Sequence, residues 1–370
     1  MRVLLSGGGT AGHINPALAI AEKIKKEIPD SEIAFVGTPH GMENKLVTKA
    51  GYKLYHVEVQ GFQRKLAISN ISAAWKAFIS PFRAKKIIKE FKPDIVIGTG
   101  GYVSWPILKA ASSMKVPTLI HEQNALAGVT TKKLSKIVDR VMISFEATRA
   151  QLPCSGDKVV LTGNPVRPEL FTLNREEERK KLGIGGEPYI VSCGGSLGAR
   201  AINDAILGIM EKDGFSKNGV SLTHSIGAYE WKKRSEQISS IGKKEKCDLL
   251  EYIYDMPSRM SAADIVICRA GAITLAELAV LGKPAILIPS PYVADNHQYK
   301  NAKVVEENGA AVLIEEKDLT PEKLLEECLR ILSDKDMLEE MRNNARKLAI
   351  HDTHDRIWKI VKELSGNTGD

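Results

Sequence analysis

What the 370-residue chain lacks narrows its class before any motif is read. Its five cysteines, Cys154, Cys193, Cys247, Cys268 and Cys328, are scattered and include no C-x-x-C pair. That argues against a disulfide framework and against a thiolate zinc cage. Several of them sit in apolar runs, VSCGG and IVICRAG among them, as buried reduced thiols of a cytosolic protein do. No window reaches the roughly 18 apolar residues of a membrane span, so a membrane would be met only at its surface. The first residues carry no charged, then apolar, then small pattern, so a secretory signal is not expected. No Lys-Ser/Thr follows the first glycines, which excludes a P-loop. No recognised nucleic-acid-binding module accompanies the basic residues, so nucleic acid is not an expected partner.

What is present is an ordinary globular composition, 43% hydrophobic and 26% charged. The length is more than one average domain and predicts two. A net charge of +7 and a pI near 8.9 favour an anionic partner, either a phosphorylated substrate or an acidic membrane.

Strand-like and helix-like segments alternate throughout. The strands expected in the first half are Val3–Leu5, Ile33–Val36, Asp94–Gly98, Thr118–His121, Arg140–Ser144 and Val159–Thr162. Those of the second half are Tyr189–Cys193, Val220–Ser225, Leu249–Ile253, Asp264–Cys268, Ala285–Pro289 and Ala311–Ile314. Runs rich in Val and Ile on both faces belong to parallel sheets covered by helices. VLLSGGGTAGHINPALAI at the start resembles YIVSCGGSLGARAINDAI at Tyr189, so each half opens with strand, glycine turn and helix. The α/β class therefore takes the form of two doubly wound domains. Thr162–Phe171, with two prolines and no helical period, is the expected linker, and an amphipathic helix at Thr353–Leu364 is free to cross back to the first domain.

Gly7, Gly9 and Gly12 satisfy the dinucleotide pattern G-x-G-x-x-G. Glycines there let backbone N–H groups approach a phosphate, and the next helix adds its positive end. An NAD site also needs an acid ending the second strand, and FVGTPHG has none at Val36, Gly37 or Thr38. His13, at the mouth of the turn, is instead a candidate general base, because the positive end of the helix dipole favours its neutral imidazole. The alternative is a histidine that merely caps the turn. Past the strand VPTLI, His121, Glu122, Gln123 and Asn124 would face the ligand crevice of an open α/β sheet, and they have no third ligand at metal spacing. In the second half, Arg269-Ala-Gly-Ala272 leads into a helix from about Ile273 to Leu281, whose N-terminus suits a pyrophosphate and whose Glu277 suits a ribose diol. Asp295, Asn296, His297, Gln298 and Asn301 then supply the polar density that sugar hydroxyls need.

In this order GGGTAGH, GGYVSWP, HEQN, TGNPVR, GGSLGA, RAGAITLAE and ADNHQYKNA span Gly7 to Ala302. Together they resemble the MurG family of N-acetylglucosaminyltransferases, which convert lipid I to lipid II in peptidoglycan synthesis. The resemblance implies a GT-B fold, two Rossmann-like domains with a cleft between them, and transfer with inversion. It implies an acceptor and membrane-facing domain over residues 1–163, joined by a C-terminal helix at 351–366, and a UDP-GlcNAc domain over 164–350. His13 would be the catalytic base, with Glu122 its rival. Thr10, Ala11, Gly12, Asn124, Arg167, Ser196, Ile253, Ala272, Glu277, Gln298 and Asn301 would hold UDP-GlcNAc. Gly8, Gly9 and Tyr102 would meet the acceptor diphosphate. Ala11 replaces a frequent glycine and His297 a frequent glutamine, which leaves the His297 contact open. No cofactor is implied. The Asp-x-Asp triplet that usually holds a metal bridging the diphosphate is expected to be absent, and with it metal-dependent chemistry; helix dipole and hydrogen bonds would stabilise the leaving group.

A polyprenyl-linked acceptor requires access to a membrane. Lys65–Phe91 places Trp75, Phe78 and Phe82 among Lys85, Lys86 and other bases, a composition suited to an anionic inner-membrane surface on the cytoplasmic side. A core helix with a solvated face is the plainer alternative. Cell-wall synthesis and division proteins stand as candidate partners. Rival activities are a UDP-GlcNAc 2-epimerase, a GT-B enzyme with another membrane-lipid acceptor, and a non-enzymatic nucleotide-sugar binder.

Overall fold

The computed structural model describes residues 1–59, 69–241 and 246–366, the side chains of 69–79 excepted. The chain divides into two compact units, Met1–Val166 with Asp352–Asp370, and Arg167–His351.

The first unit is built on a parallel sheet of β1 (Arg2–Gly7), β2 (Glu32–Gly37), β3 (Lys53–His56), β4 (Ile95–Gly100), β5 (Thr118–Glu122), β6 (Arg140–Ile143) and β7 (Val159–Leu161). Their spatial order is β3-β2-β1-β4-β5-β6-β7. The second unit has β8 (Tyr189–Cys193), β9 (Ser221–Ser225), β10 (Cys247–Leu250), β11 (Ile265–Cys268), β12 (Ala285–Leu287) and β13 (Ala311–Leu313), in the order β10-β9-β8-β11-β12-β13. Both orders turn back beside the first strand, at β1/β4 and at β8/β11. Ligands of open α/β sheets bind at the carboxyl ends of strands flanking such a point.

The strands bury side chains on both faces. Val3, Leu4 and Leu5 are fully buried, as are Ile95, Val96 and Ile97 of β4. The helix Ala11–Glu27 covers one face through Ile14, Ala17, Ile20, Ala21 and Ile24, spaced three and four apart. Each fully buried isoleucine of this stripe contributes about 1.5–3 kcal/mol. The helix Thr353–Leu364 adds Ile357, Ile360 and Val361 to the same core. It is tied down by ion pairs Lys23–Asp355 at 2.8 Å and Arg140–Glu363 at 3.0 Å. His354 and Arg356 donate to the Val166 and Leu161 carbonyls, at 2.8 and 3.0 Å.

Strand β3 is absent from the sequence-based expectation, since Lys-Leu-Tyr-His shows little period. Ile253, expected inside a strand, lies beyond the end of β10. The expected linker contains the 3-10 turn Pro168–Phe171. Cys247, Cys268 and Cys328 are buried, and burial pushes their thiols up, which keeps them protonated and unreactive.

Candidate active site

Two glycine turns meet at the carboxyl ends of β1 and β4. Gly101, at φ +75°, has no room for a side chain, because a Cβ there would lie 2.4 Å from the Gly8 carbonyl oxygen. Gly9, at φ +87°, takes the left-handed conformation that ends the first turn. Tyr102 is 41% exposed and lies over Gly9, 3.7 Å from the position a Cβ would take. Thr10 then starts the helix Ala11–Glu27 with no side-chain cap, which leaves its first turn to an external acceptor. Pro16 has no N–H to offer the carbonyl of exposed Gly12, one turn earlier.

His13 lies in this first turn, half-buried, with Nδ1 3.0 Å from the Thr99 carbonyl of β4. Thr99 Oγ1 in turn donates to the His13 carbonyl at 2.6 Å. The imidazole is thus fixed at the switch point from both its ring and its backbone.

Glu43 was not foreseen. It reaches back from the helix Glu43–Lys49 and is 1% exposed. Its Oε1 accepts from Thr38 N and Oγ1, each at 2.7 Å, and its Oε2 lies 3.4 Å from Gly9 N. Burial alone would raise this carboxyl, yet the hydrogen bonds outweigh burial and lower it. A carboxylate therefore does follow the second strand, but protein N–H and hydroxyl groups occupy it. It also stands beside Gly9, where an acceptor diphosphate was expected. No sequence period links residues 9 and 43, so nothing in the sequence signalled the contact.

Glu122 is 3% exposed. Its Oε1 accepts from Asn124 N at 3.1 Å and Nδ2 at 3.3 Å, and its Oε2 from Gly128 N at 2.9 Å. These bonds knot the loop after β5 and engage both carboxylate oxygens of the expected rival base. Asn124 is half-buried at the same loop.

In the second unit Gly198 packs on Gly227, whose Cβ would lie 2.0 Å from Gly198 N, and exposed Ser196 lies in that turn. The helix Ala272–Leu281 starts at Gly271 with no side-chain cap, and Ala272 is its first residue. Its Glu277 meets Arg167, whose Nη2 and Nε donate to Oε1 at 3.1 and 3.2 Å. Burial raises the Glu277 carboxyl, and Arg167 opposes part of that rise. Ile253 is buried between exposed Tyr252 and Tyr254, whose rings make a T-shaped contact at 5.0 Å.

A cavity of about 850 Å³ is lined by Gly194, Gly198, Arg269, Ser290 and Gln298 among others. Arg269 was not foreseen as a site residue; it is held by Glu316 at 2.8 Å and donates to the Ile288 carbonyl at 3.0 Å. Gln298 accepts from Ser290 N at 2.9 Å. The loop before it carries Asp295 and Asn296 at φ +55° and +52°, a strained left-handed pair at a place where sugar contacts were expected. His297 Nδ1 donates to the Ala294 carbonyl at 2.8 Å. Asn301, expected at the donor sugar, is fully buried and donates from Nδ2 to the Ala270 carbonyl at 3.2 Å, which braces the turn before Ala272. A smaller cavity of about 460 Å³, lined by Arg175, Lys283, Arg342 and Arg346, includes none of the expected site residues. The chain does hold one Asp-x-Asp triplet, Asp334-Lys335-Asp336, and its Asp334 caps the helix Lys335–Lys347 by accepting from Met337 N at 2.9 Å.

Of the segment expected at a membrane, the helix Ser69–Phe91 exposes Phe82 (65%), Lys85 and Lys86, while Ala84, Ile87, Ile88 and Phe91 enter the core. The side chains of Trp75 and Phe78 lie outside the described residues. Among the described residues no helix is long and apolar enough to cross a membrane.

Comparison with known proteins gives a consistent family. The N-terminal domain of glycosyltransferase family 28 matches residues 3–143 and its C-terminal domain residues 189–357. The UDP-N-acetylglucosamine--N-acetylmuramyl-(pentapeptide) pyrophosphoryl-undecaprenol N-acetylglucosamine transferase of Acetivibrio thermocellus is 47% identical, over 99% of both chains. The protein of that name from Clostridioides difficile is 44% identical, over 100% of this chain and 90% of its own. The crystal structure of Acinetobacter baumannii MurG superposes with a TM-score of 0.79 at 30% identity, over 98% of this chain and 99% of that one. With two parallel Rossmann-like sheets in the GT-B manner and relatives matched end to end, the chain belongs to glycosyltransferase family 28.

Proposed function

We propose that this glycosyltransferase moves N-acetylglucosamine from UDP-GlcNAc to the 4-hydroxyl of the N-acetylmuramoyl group of lipid I, giving lipid II and UDP. The observation that carries this reading is full-length identity of 40–47% to relatives named for that transfer. A fold-level likeness alone would leave an epimerase or another acceptor equally open.

The site supplies the parts such a reaction needs. On the second unit, the Glu277 carboxylate takes the ribose diol and shares Arg167 with it. The backbone at Ile253 reads uracil. Ser196 and the start of the helix Ala272–Leu281 take the diphosphate, where the helix dipole stabilises the negative charge of departing UDP. Gln298, on the 850 Å³ cavity, meets the sugar hydroxyls. On the first unit, Thr10, Ala11, Gly12 and Asn124 approach the donor sugar, and Gly8, Gly9 and Tyr102 the acceptor diphosphate. His13 takes the proton of the 4-hydroxyl as its oxygen attacks C1 of the donor. The C1–O bond to phosphate breaks with its electron pair leaving on UDP, so the anomeric carbon inverts. Holding both substrates in line supplies much of the remaining rate.

The acceptor's lipid places the protein on a membrane as a peripheral protein of the cytoplasmic face. Phe82, Lys85 and Lys86, exposed on one stretch of the helix Ser69–Phe91, fit an anionic bilayer surface.

The test is UDP release from UDP-GlcNAc with and without a soluble lipid I analogue. Release that requires the analogue supports the transfer. Release without it would indicate epimerase-type turnover, and its absence in both arms would leave a binding protein.

A further inference from the structure

Behind His13 runs a hydrogen-bonded chain whose direction the backbone dictates. Gln123 is 2% exposed and His121 fully buried. Gln123 Oε1 lies 3.0 Å from His13 Nδ1, and Gln123 Nε2 lies 2.9 Å from His121 Nδ1. The same Nε2 lies 3.0 Å from the His121 carbonyl oxygen, and His121 Nε2 lies 2.9 Å from the Gly163 carbonyl oxygen.

Carbonyl oxygens only accept. The His121 carbonyl therefore forces the Gln123 amide to point its NH2 group at His121 and its oxygen at His13, because the flipped amide would set oxygen against oxygen. Gly163 requires a proton on His121 Nε2. His121 Nδ1 then accepts from Gln123, and burial, which lowers the pKa of this imidazole, keeps it neutral. At the far end, His13 Nδ1 faces two oxygens, Gln123 Oε1 and the Thr99 carbonyl, each at 3.0 Å. Both repel a lone pair and both accept a proton.

We infer that Gln123, oriented by His121, is a positioning residue that holds His13 in the Nδ1–H tautomer and so presents the Nε2 lone pair as the base. The inference rests on the proposed role of His13. It also assigns a distinctive chemistry. A carboxylate in the place of Gln123 would add charge and strengthen the base, as an aspartate does for a triad histidine. An amide adds none. It fixes ring and tautomer, and it stabilises the imidazolium only through its oxygen dipole once the hydroxyl proton has arrived on Nε2.

Long-range 15N–1H spectra of the full-length chain labelled at histidine nitrogens, with His13 assigned by its loss in His13→Ala, read the tautomer directly. The expected result is a protonated Nδ1 and a bare Nε2 in the wild type. Gln123→Leu should then lower kcat roughly tenfold and shift the acidic limb of the pH profile to lower pH, since the imidazolium loses an acceptor. The KM for UDP-GlcNAc should stay unchanged. A wild-type His13 protonated at Nε2 would overturn the inference, as would Gln123→Leu with the wild-type kcat and acidic limb. A fully active His13→Ala alongside a protonated Nδ1 would overturn the base assignment, and with it the catalytic part of the Gln123 role, while the tautomer stood.

Discussion

Arg167 and Glu277 are joined through a single carboxylate oxygen, with Nη2 and Nε of the guanidinium 3.1 and 3.2 Å from Oε1. The pair stands where the ribose is proposed to bind, so the charge of Glu277 should govern donor affinity. Glu277→Gln should raise the KM for UDP-GlcNAc about 10–100-fold, the range of a hydrogen bond to a charged group. Burial raises the Glu277 carboxyl above its ordinary value. Its anionic form is therefore lost as pH falls through that raised value, sooner than for an exposed glutamate. UDP affinity, measured by calorimetry, should weaken on acidification in the wild type and stay flat in Glu277→Gln. Parallel curves would disconnect Glu277 from the donor.

Lys85 and Lys86 lie one turn from Phe82 on the exposed face of their helix. Each basic residue near an anionic surface contributes about 1 kcal/mol. Lys85→Gln with Lys86→Gln should then lower partitioning onto phosphatidylglycerol vesicles about thirtyfold. Raised salt should shrink the difference through screening. UDP binding by the same variant should match the wild type. Unchanged sedimentation with vesicles would remove this face from the membrane contact.

The single Asp-x-Asp triplet is engaged in capping a helix through Asp334. Leaving-group charge is assigned instead to the helix start at Ala272 and to the glycine turn at Ser196. Turnover of purified protein in EDTA should equal turnover in added magnesium, and abolition by EDTA would overturn the expectation.

How much of this was readable depended on the range of the interaction. The central strands were legible because their Val and Ile runs are buried on both faces, as at Val3–Leu5 and Ile95–Ile97. Strand β3 was not, since Lys53-Leu-Tyr-His56 carries no Val or Ile run and is only partly buried. Glycine turns and helix starts are local, so the turn that carries His13 and the helix start near Ala272 followed from spacing, whereas Ser196 came only with the family resemblance. Glu43 approaches Gly9 across 34 residues, and only the packed fold reveals it. Asn301 and Glu122 carried the polarity of a site, but their bonds to Ala270, Asn124 and Gly128 within the loops could not be read from polarity. Gln123 sat in a recognised polar cluster, but its partner His13 lies 110 residues away.

His224 is fully buried in the second unit, with its ring nitrogens 3.0 Å from Ser192 Oγ and 3.1 Å from Asn203 Oδ1. Burial lowers its pKa to about 4, against about 6.5 in an unfolded chain. Between these values the unfolded chain binds more protons than the folded one, so stability falls as pH drops. The loss from this residue reaches about 3 kcal/mol once pH is below both values. Urea unfolding followed at pH 7 and pH 5 should show the decline, and His224→Gln should flatten it while lowering stability at pH 7. An equal slope in both proteins would assign the pH dependence elsewhere.

His13 and Glu122 were the two candidate bases, and their surroundings separate them. Glu122 accepts from Asn124 N, Asn124 Nδ2 and Gly128 N, and is 3% exposed. A group so engaged would have to give up loop contacts before it could take a substrate proton. Glu122→Gln keeps the shape but turns one oxygen into a donor facing another donor. It should cost about 1–3 kcal/mol of stability, seen as a lower melting temperature, while the pH profile of kcat keeps its acidic limb. His13 sits in an exposed glycine turn, and its removal takes a partner from two neutral acceptors, Gln123 Oε1 and the Thr99 carbonyl, and from no charged group. His13→Ala should lower kcat at least about a hundredfold with melting temperature and UDP affinity near wild type. If the acidic limb instead disappears in Glu122→Gln and persists in His13→Ala, the base is Glu122, and the loop after β5 must open during turnover.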